Sequence, residues 1–100
     1  MNELSRISSI ALRLHPNEDI MTTIVNFAKN HNIEAASIST AVGSVKHCTL
    51  RLANNNHLTY FKGPFEIVSL VGTISKGALT HLHISLSDGF KGWMIGGHLP

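Results

Sequence analysis

The spacing of hydrophobic positions changes twice along this chain of 100 residues, and each change marks a change of backbone. Residues 4–14 alternate imperfectly, with Ile10, Leu12 and Leu14 on one face, which predicts a first strand. His15-Pro16-Asn17 interrupts it, because proline cannot continue a paired strand and restricts the residue before it. Asn17 is then the expected N-cap, with Glu18 and Asp19 in a first turn where the helix dipole favours acids. Ile20, Ile24, Phe27 and Ala28 follow at i, i+4, i+7 and i+8, an amphipathic helix that should fade by His31-Asn32.

Everything after the helix has the pattern of sheet. Residues 35–42 form a short apolar run ending at Gly43-Ser44, and residues 45–53 alternate imperfectly. Asn54-Asn55-Asn56 is a turn by composition, since asparagine tolerates left-handed backbone. Residues 57–61 form a brief strand ending at Gly63-Pro64. Residues 65–74 are apolar and β-branched, as in a central strand. Residues 79–86 alternate cleanly, and Asp88-Gly89 turns the chain into a last strand over 92–98. One helix followed by six or so strands predicts an α+β fold with a mostly antiparallel sheet.

Composition narrows the class. Hydrophobic residues make up 43% of the chain and charged residues 14%, which excludes disorder. A chain of this length is one domain, 1–100, burying about 65% of its unfolded surface. The net charge is +2, and the Lys and Arg residues are spread from Arg6 to Lys91 without a run, unlike the clustered stripe of most nucleic-acid binders. A single cysteine, Cys48, can form neither an internal disulfide nor a Cys-based zinc knuckle. With no signal-peptide pattern and no apolar run of the ~18 residues a membrane helix needs, the expectation is a cytoplasmic protein.

Histidine is the compositional anomaly, at seven residues. His81 and His83 are one residue apart in the expected strand Thr80-His81-Leu82-His83-Ile84. Period-two geometry puts both imidazoles on one face with Cα atoms about 6.5 Å apart, close enough to share a zinc ion at roughly 2.0–2.1 Å each. His98 ends the next strand, after Gly96-Gly97, and a hairpin could return it to the pair. The plainer reading has His81 and His83 facing solvent or a neighbouring element and merely hydrogen-bonded. His15, His31, His47 and His57 have no partner at ligand spacing and read as surface or loop residues. Cys48 reads as a small packed or surface residue rather than a nucleophile. Glu66, inside the run Phe65-Glu66-Ile67-Val68-Ser69-Leu70, is either solvated on an open sheet face or paired at an interface or site.

As a set these motifs resemble a known family. Gly63-Pro64-Phe65-Glu66-Ile67-Val68-Ser69-Leu70-Val71-Gly72 resembles the signature segment of the plants-and-prokaryotes-conserved (PPC) domain. The stretch from Thr80-His81-Leu82-His83 to Gly96-Gly97-His98-Leu99 resembles its closing histidine motif, and Arg13-Leu14-His15-Pro16-Asn17-Glu18-Asp19 and Ala41-Val42-Gly43-Ser44 fit the same pattern. The resemblance runs from about residue 10 to the end and is closest to the bare-domain bacterial and archaeal members. It implies a two-layer fold, a homotrimer, a metal on His81, His83 and His98, and a partner-contact motif at Gly63, Phe65, Glu66 and Ile67. It also implies DNA association, by analogy with plant members that carry an AT-hook, a motif absent from this sequence. Asn17 replaces the family's usual glycine, and the family's C-terminal strand after Gly-Gly-His-Leu is expected to be missing.

Two functions follow from different classes. The first is a PPC-domain module acting through DNA or protein contacts, more in keeping with the sequence than an enzyme. The alternative is a small metal-dependent enzyme in which three histidines hold Zn2+ and Glu66 serves as general base. A cupin-like site is disfavoured, since the next carboxylate after the histidine pair is Asp88.

Overall fold

The alternation from residue 79 onward builds the centre of the molecule: Leu82, Ile84 and Leu86 turn inward and are buried, while His81 and His83 turn outward and are exposed. The computed structural model describes residues 4–54 and 56–100. One helix, α1 (Ile20–Asn30), precedes five strands: β1 (Ala35–Ser37), β2 (Ser44–Arg51), β3 (Leu58–Ser75), β4 (Leu79–Asp88) and β5 (Met94–Leu99). Every pairing is antiparallel, and the sheet order is β1-β3-β2-β5-β4, with β4 also pairing back to β3. Strands β2, β3, β4 and β5 therefore close into a ring, completed between β2 and β5 at Arg51 opposite His98. The α+β class and the antiparallel sheet are as expected.

The ring encloses Leu50, Leu82, Ile84 and Leu86, all essentially without solvent contact, together with Cys48, Phe65, Leu70, Ile74 and Leu99. Helix α1 adds Ile24 and Ala28 to this core from its apolar stripe. Met21 anchors the same helix to β4, its sulfur accepting a hydrogen bond of 3.3 Å from the Thr80 hydroxyl.

Four expectations change. Residues 4–14 form no strand, and Leu4, Ile7, Ile10 and Leu12 are exposed. Alternation selects a face but not a hydrogen-bonding partner, and these residues pair with no strand among the described residues. The helix is capped by Asp19, whose carboxylate accepts from the Thr22 N–H at 2.9 Å, and not by Asn17. Asn17 instead adopts left-handed backbone (φ 72°), and Glu18 lies ahead of the helix, accepting from the His15 N–H. The run over 35–42 shortens to β1. Finally, the strands expected at 57–61 and 65–74 are one strand, β3, running through Gly63-Pro64. One extra residue in β3 sets these two residues together opposite Lys46 of β2, so the missing N–H of Pro64 falls at a bulge, where the ladder does not require it.

Two positions show local chemistry serving the ring. Gly72 (φ 142°) lies in β3 against β4, and a Cβ there would overlap the His81 carbonyl oxygen. We expect Gly72→Ala to cost at least about 2 kcal/mol in urea unfolding, because it combines a strained φ with a backbone clash; an unchanged midpoint would contradict this. Asp88 closes the β4–β5 turn, its Oδ1 accepting from the N–H groups of Phe90, Lys91 and Gly92 at 2.8, 2.6 and 3.0 Å. The bond from Lys91, followed by that from Phe90, holds its carboxyl below the usual aspartate range. A group whose pKa is depressed by folding stabilises above its unfolded value and loses that contribution as pH falls through the folded one. Asp88→Ala should therefore lower the unfolding midpoint at neutral pH, with the gap to wild type narrowing in acid; a gap independent of pH would remove the carboxylate's role.

Candidate metal centre

Strands β4 and β5 bring three imidazoles together on the outward face of the ring. His81 and His83 are exposed on β4, and His98 is half-buried on β5 directly opposite His83. The Nε2 atoms of His81 and His83 stand 3.1 Å apart, and one ligand nitrogen from each of the three histidines lies within 4.8 Å of the other two. Ring centroids are 5.0 Å apart for His81 and His83, and 5.4 Å apart for each with His98. Among the described residues this is the one group of three or more His, Cys, Asp or Glu side chains suited to a metal.

Local sequence explains the convergence. Period two aligns His81 with His83, and the tight β4–β5 hairpin under Asp88 carries the chain back so that His98 faces them. Gly96 permits this approach to β4, because a Cβ there would sit 2.9 Å from the Ile84 carbonyl oxygen, and Gly97 permits the approach of β5 to β2, where a Cβ would sit 3.0 Å from the Arg51 carbonyl oxygen. Arg51 is the residue that sequence reasoning did not assign to the site. It pairs with His98 across the ring closure and lines the same groove as His83 and His98. No local pattern marks it, since its proximity depends on the register of two strands far apart in sequence.

The donor set fits a transition metal. Bond lengths of 2.0–2.1 Å in a tetrahedral site separate the nitrogens by about 3.3 Å, so His81 and His83 already span one edge and His98 has only a short distance to close. A metal needs neutral imidazoles. Burial, followed by the neighbouring Arg51 guanidinium, lowers the His98 pKa and favours its neutral form. Imidazoles suit zinc, copper, iron and nickel, and three of them leave a coordination position open.

The other candidates lie elsewhere. Glu66 is exposed on β3, opposite Ser44 and Ser87, whereas His81 is opposite Thr73. Those positions are seven residues apart on β3, about 23 Å of extended chain, and Val71, opposite His83, is five residues from Glu66, about 17 Å. Of the segment Gly63, Phe65, Glu66 and Ile67, Phe65 is buried in the core, Gly63 and Ile67 are half-buried, and only Glu66 is exposed. His31 stacks on Phe27 with centroids 4.2 Å apart, its Nδ1 lying 3.0 Å from the Phe27 carbonyl oxygen, and His47 is 5.6 Å from Tyr60. Burial, with a smaller contribution from Asp19, raises the Cys48 thiol pKa, the opposite of what a nucleophile needs.

The comparisons agree with this architecture. A hypothetical protein from Salmonella enterica superposes with a TM-score of 0.83 at 35% identity, over 89% of this chain and 63% of its own. A metal-containing protein from Archaeoglobus fulgidus matches with a TM-score of 0.75 at 31% identity, over 89% of this chain and 66% of that one. A candidate DNA-binding protein from Bacteroides thetaiotaomicron follows at a TM-score of 0.72 and 30% identity, over 81% and 59% of the two chains. Among curated proteins, the bifunctional protein GlmU of Synechococcus sp. (strain JA-3-3Ab) is 34% identical over 88% of this chain, which spans only 14% of that protein's length. The profile of the Plants and Prokaryotes Conserved (PCC) domain matches residues 1–100, and the chain belongs to that family.

Proposed function

We propose that this protein is a non-enzymatic PCC-domain module that holds one zinc ion on His81, His83 and His98, assembles as a homotrimer in the cytoplasm and takes part in DNA-associated regulation. The observation that carries this reading is the convergence of three imidazole nitrogens within 4.8 Å. The metal-containing Archaeoglobus relative supports the metal, and the Bacteroides relative supports the association with DNA. A bound zinc ion would supply Lewis acidity at its open position. The enzyme alternative also needs a nearby general base, and Glu66, the one named for it, is remote from the triad within the chain.

The outward face of β2 and β3 favours the nucleic-acid role over a purely structural one. His47 stands opposite Lys62, Thr49 opposite Tyr60, and Arg51 opposite Leu58, so the pairs share one side of the sheet. His47, Lys62, Tyr60 and Arg51 are all exposed there. Register thus gathers cations and an aromatic ring into a stripe, although the cations are scattered in the sequence. Phosphate contacts and stacking use this combination.

Protein purified without a polyhistidine tag should carry one zinc ion per chain by elemental analysis. The His81→Ala, His83→Ala double variant should lose it, with affinity reduced at least roughly 100-fold; metal-free wild type after zinc incubation would overturn the metal reading. The same preparation should scatter light as three chains of 10.9 kDa. It should also bind an AT-rich duplex with affinity that falls as salt rises, and Lys62→Glu should weaken binding and flatten the salt slope by about one. A monomeric mass would remove the trimer, and an absence of binding at low salt would remove the DNA role.

A further inference from the structure

The groove beside the triad carries a charge that metal binding leaves unused. It encloses about 510 Å3, and among the described residues its lining includes Arg51, Asn54, His83, Gly97 and His98 but no acidic side chain. Arg51 stands opposite His98, and His98 opposite His83, so a cation and two candidate ligands form one cross-strand row on the exposed face. Three neutral imidazoles would leave the full charge of a divalent ion uncompensated, unlike thiolate or carboxylate ligands. Arg51 adds a charge that persists at every physiological pH. No described residue lining the groove balances the two, so the favoured occupant is an anion from outside.

We infer that this groove is a subsite for a small oxyanion, a carboxylate or a phosphate, held between the Arg51 guanidinium and the coordination position that His81, His83 and His98 leave open. The planar fork of arginine matches both chemistries with two parallel N–H···O bonds. The groove's volume lies in the range of small-molecule sites. The inference rests on the three-histidine metal reading and adds to it the class of ligand. Arg51 is exposed, so its replacement removes the fork without disturbing the core.

Cobalt(II) reports both halves, because its visible absorption responds to each ligand it gains. Wild-type protein loaded with cobalt is titrated with inorganic phosphate and, separately, with acetate. At least one should shift the spectrum saturably, and the comparison decides between phosphate and carboxylate. Arg51→Gln should weaken that anion about tenfold or more while leaving cobalt affinity within about threefold, and Arg51→Lys should fall between. If cobalt binds but neither anion changes the spectrum, or Arg51→Gln responds like wild type, the subsite is wrong while the metal centre stands. If cobalt does not bind, both fall.

Discussion

Strand β4 is hydrogen-bonded along both edges, to β3 on one side and β5 on the other, and this double pairing sets the direction of every side chain it carries. With both registers fixed, Leu82, Ile84 and Leu86 must face inward and His81 and His83 outward. A slip of one residue would exchange the two sets. Burying each of those aliphatic side chains contributes roughly 1.5–3 kcal/mol as an upper figure, which is what makes the slip prohibitive. The histidine pair is therefore oriented by the core behind it, and its outward position is a consequence of leucine and isoleucine burial.

Closure of the ring adds what β4 alone cannot. Arg51 on β2 meets His98 on β5, and His98 meets His83 on β4, so three strands contribute to one patch. Gly72 and Gly97 permit the close backbone approaches around that patch, one between β3 and β4 and the other between β5 and β2. The result is a face dense in imidazole and positive charge whose groove, among the described residues, is lined by no carboxylate. This electrostatic imbalance connects the candidate metal centre, the anion subsite and the basic stripe of β2 and β3.

Much of the fold was legible from residue order. The 3.6-residue stripe of α1, the alternation of β4 and the turn after Asp88 each express a local rule acting within a few residues. The misreadings arose where a distant partner decides. Residues 4–14 have a strand's alternation but pair with no strand among the described residues. Gly63-Pro64 has the composition of a break, yet lies inside β3 because a bulge opposite Lys46 accommodates it. Asn17 and Asp19 are both competent caps, and the left-handed turn at Asn17 left Asp19 in place to cap the helix.

The candidate site divides along the same line. That His81 and His83 share a face followed from their spacing, since a strand's period of two admits no other arrangement. That His98 joins them, that Arg51 stands beside it and that Glu66 does not could not be read from spacing. These depend on how β2, β3, β4 and β5 register against one another, and register is chosen by the burial of the whole inner face rather than by any single segment.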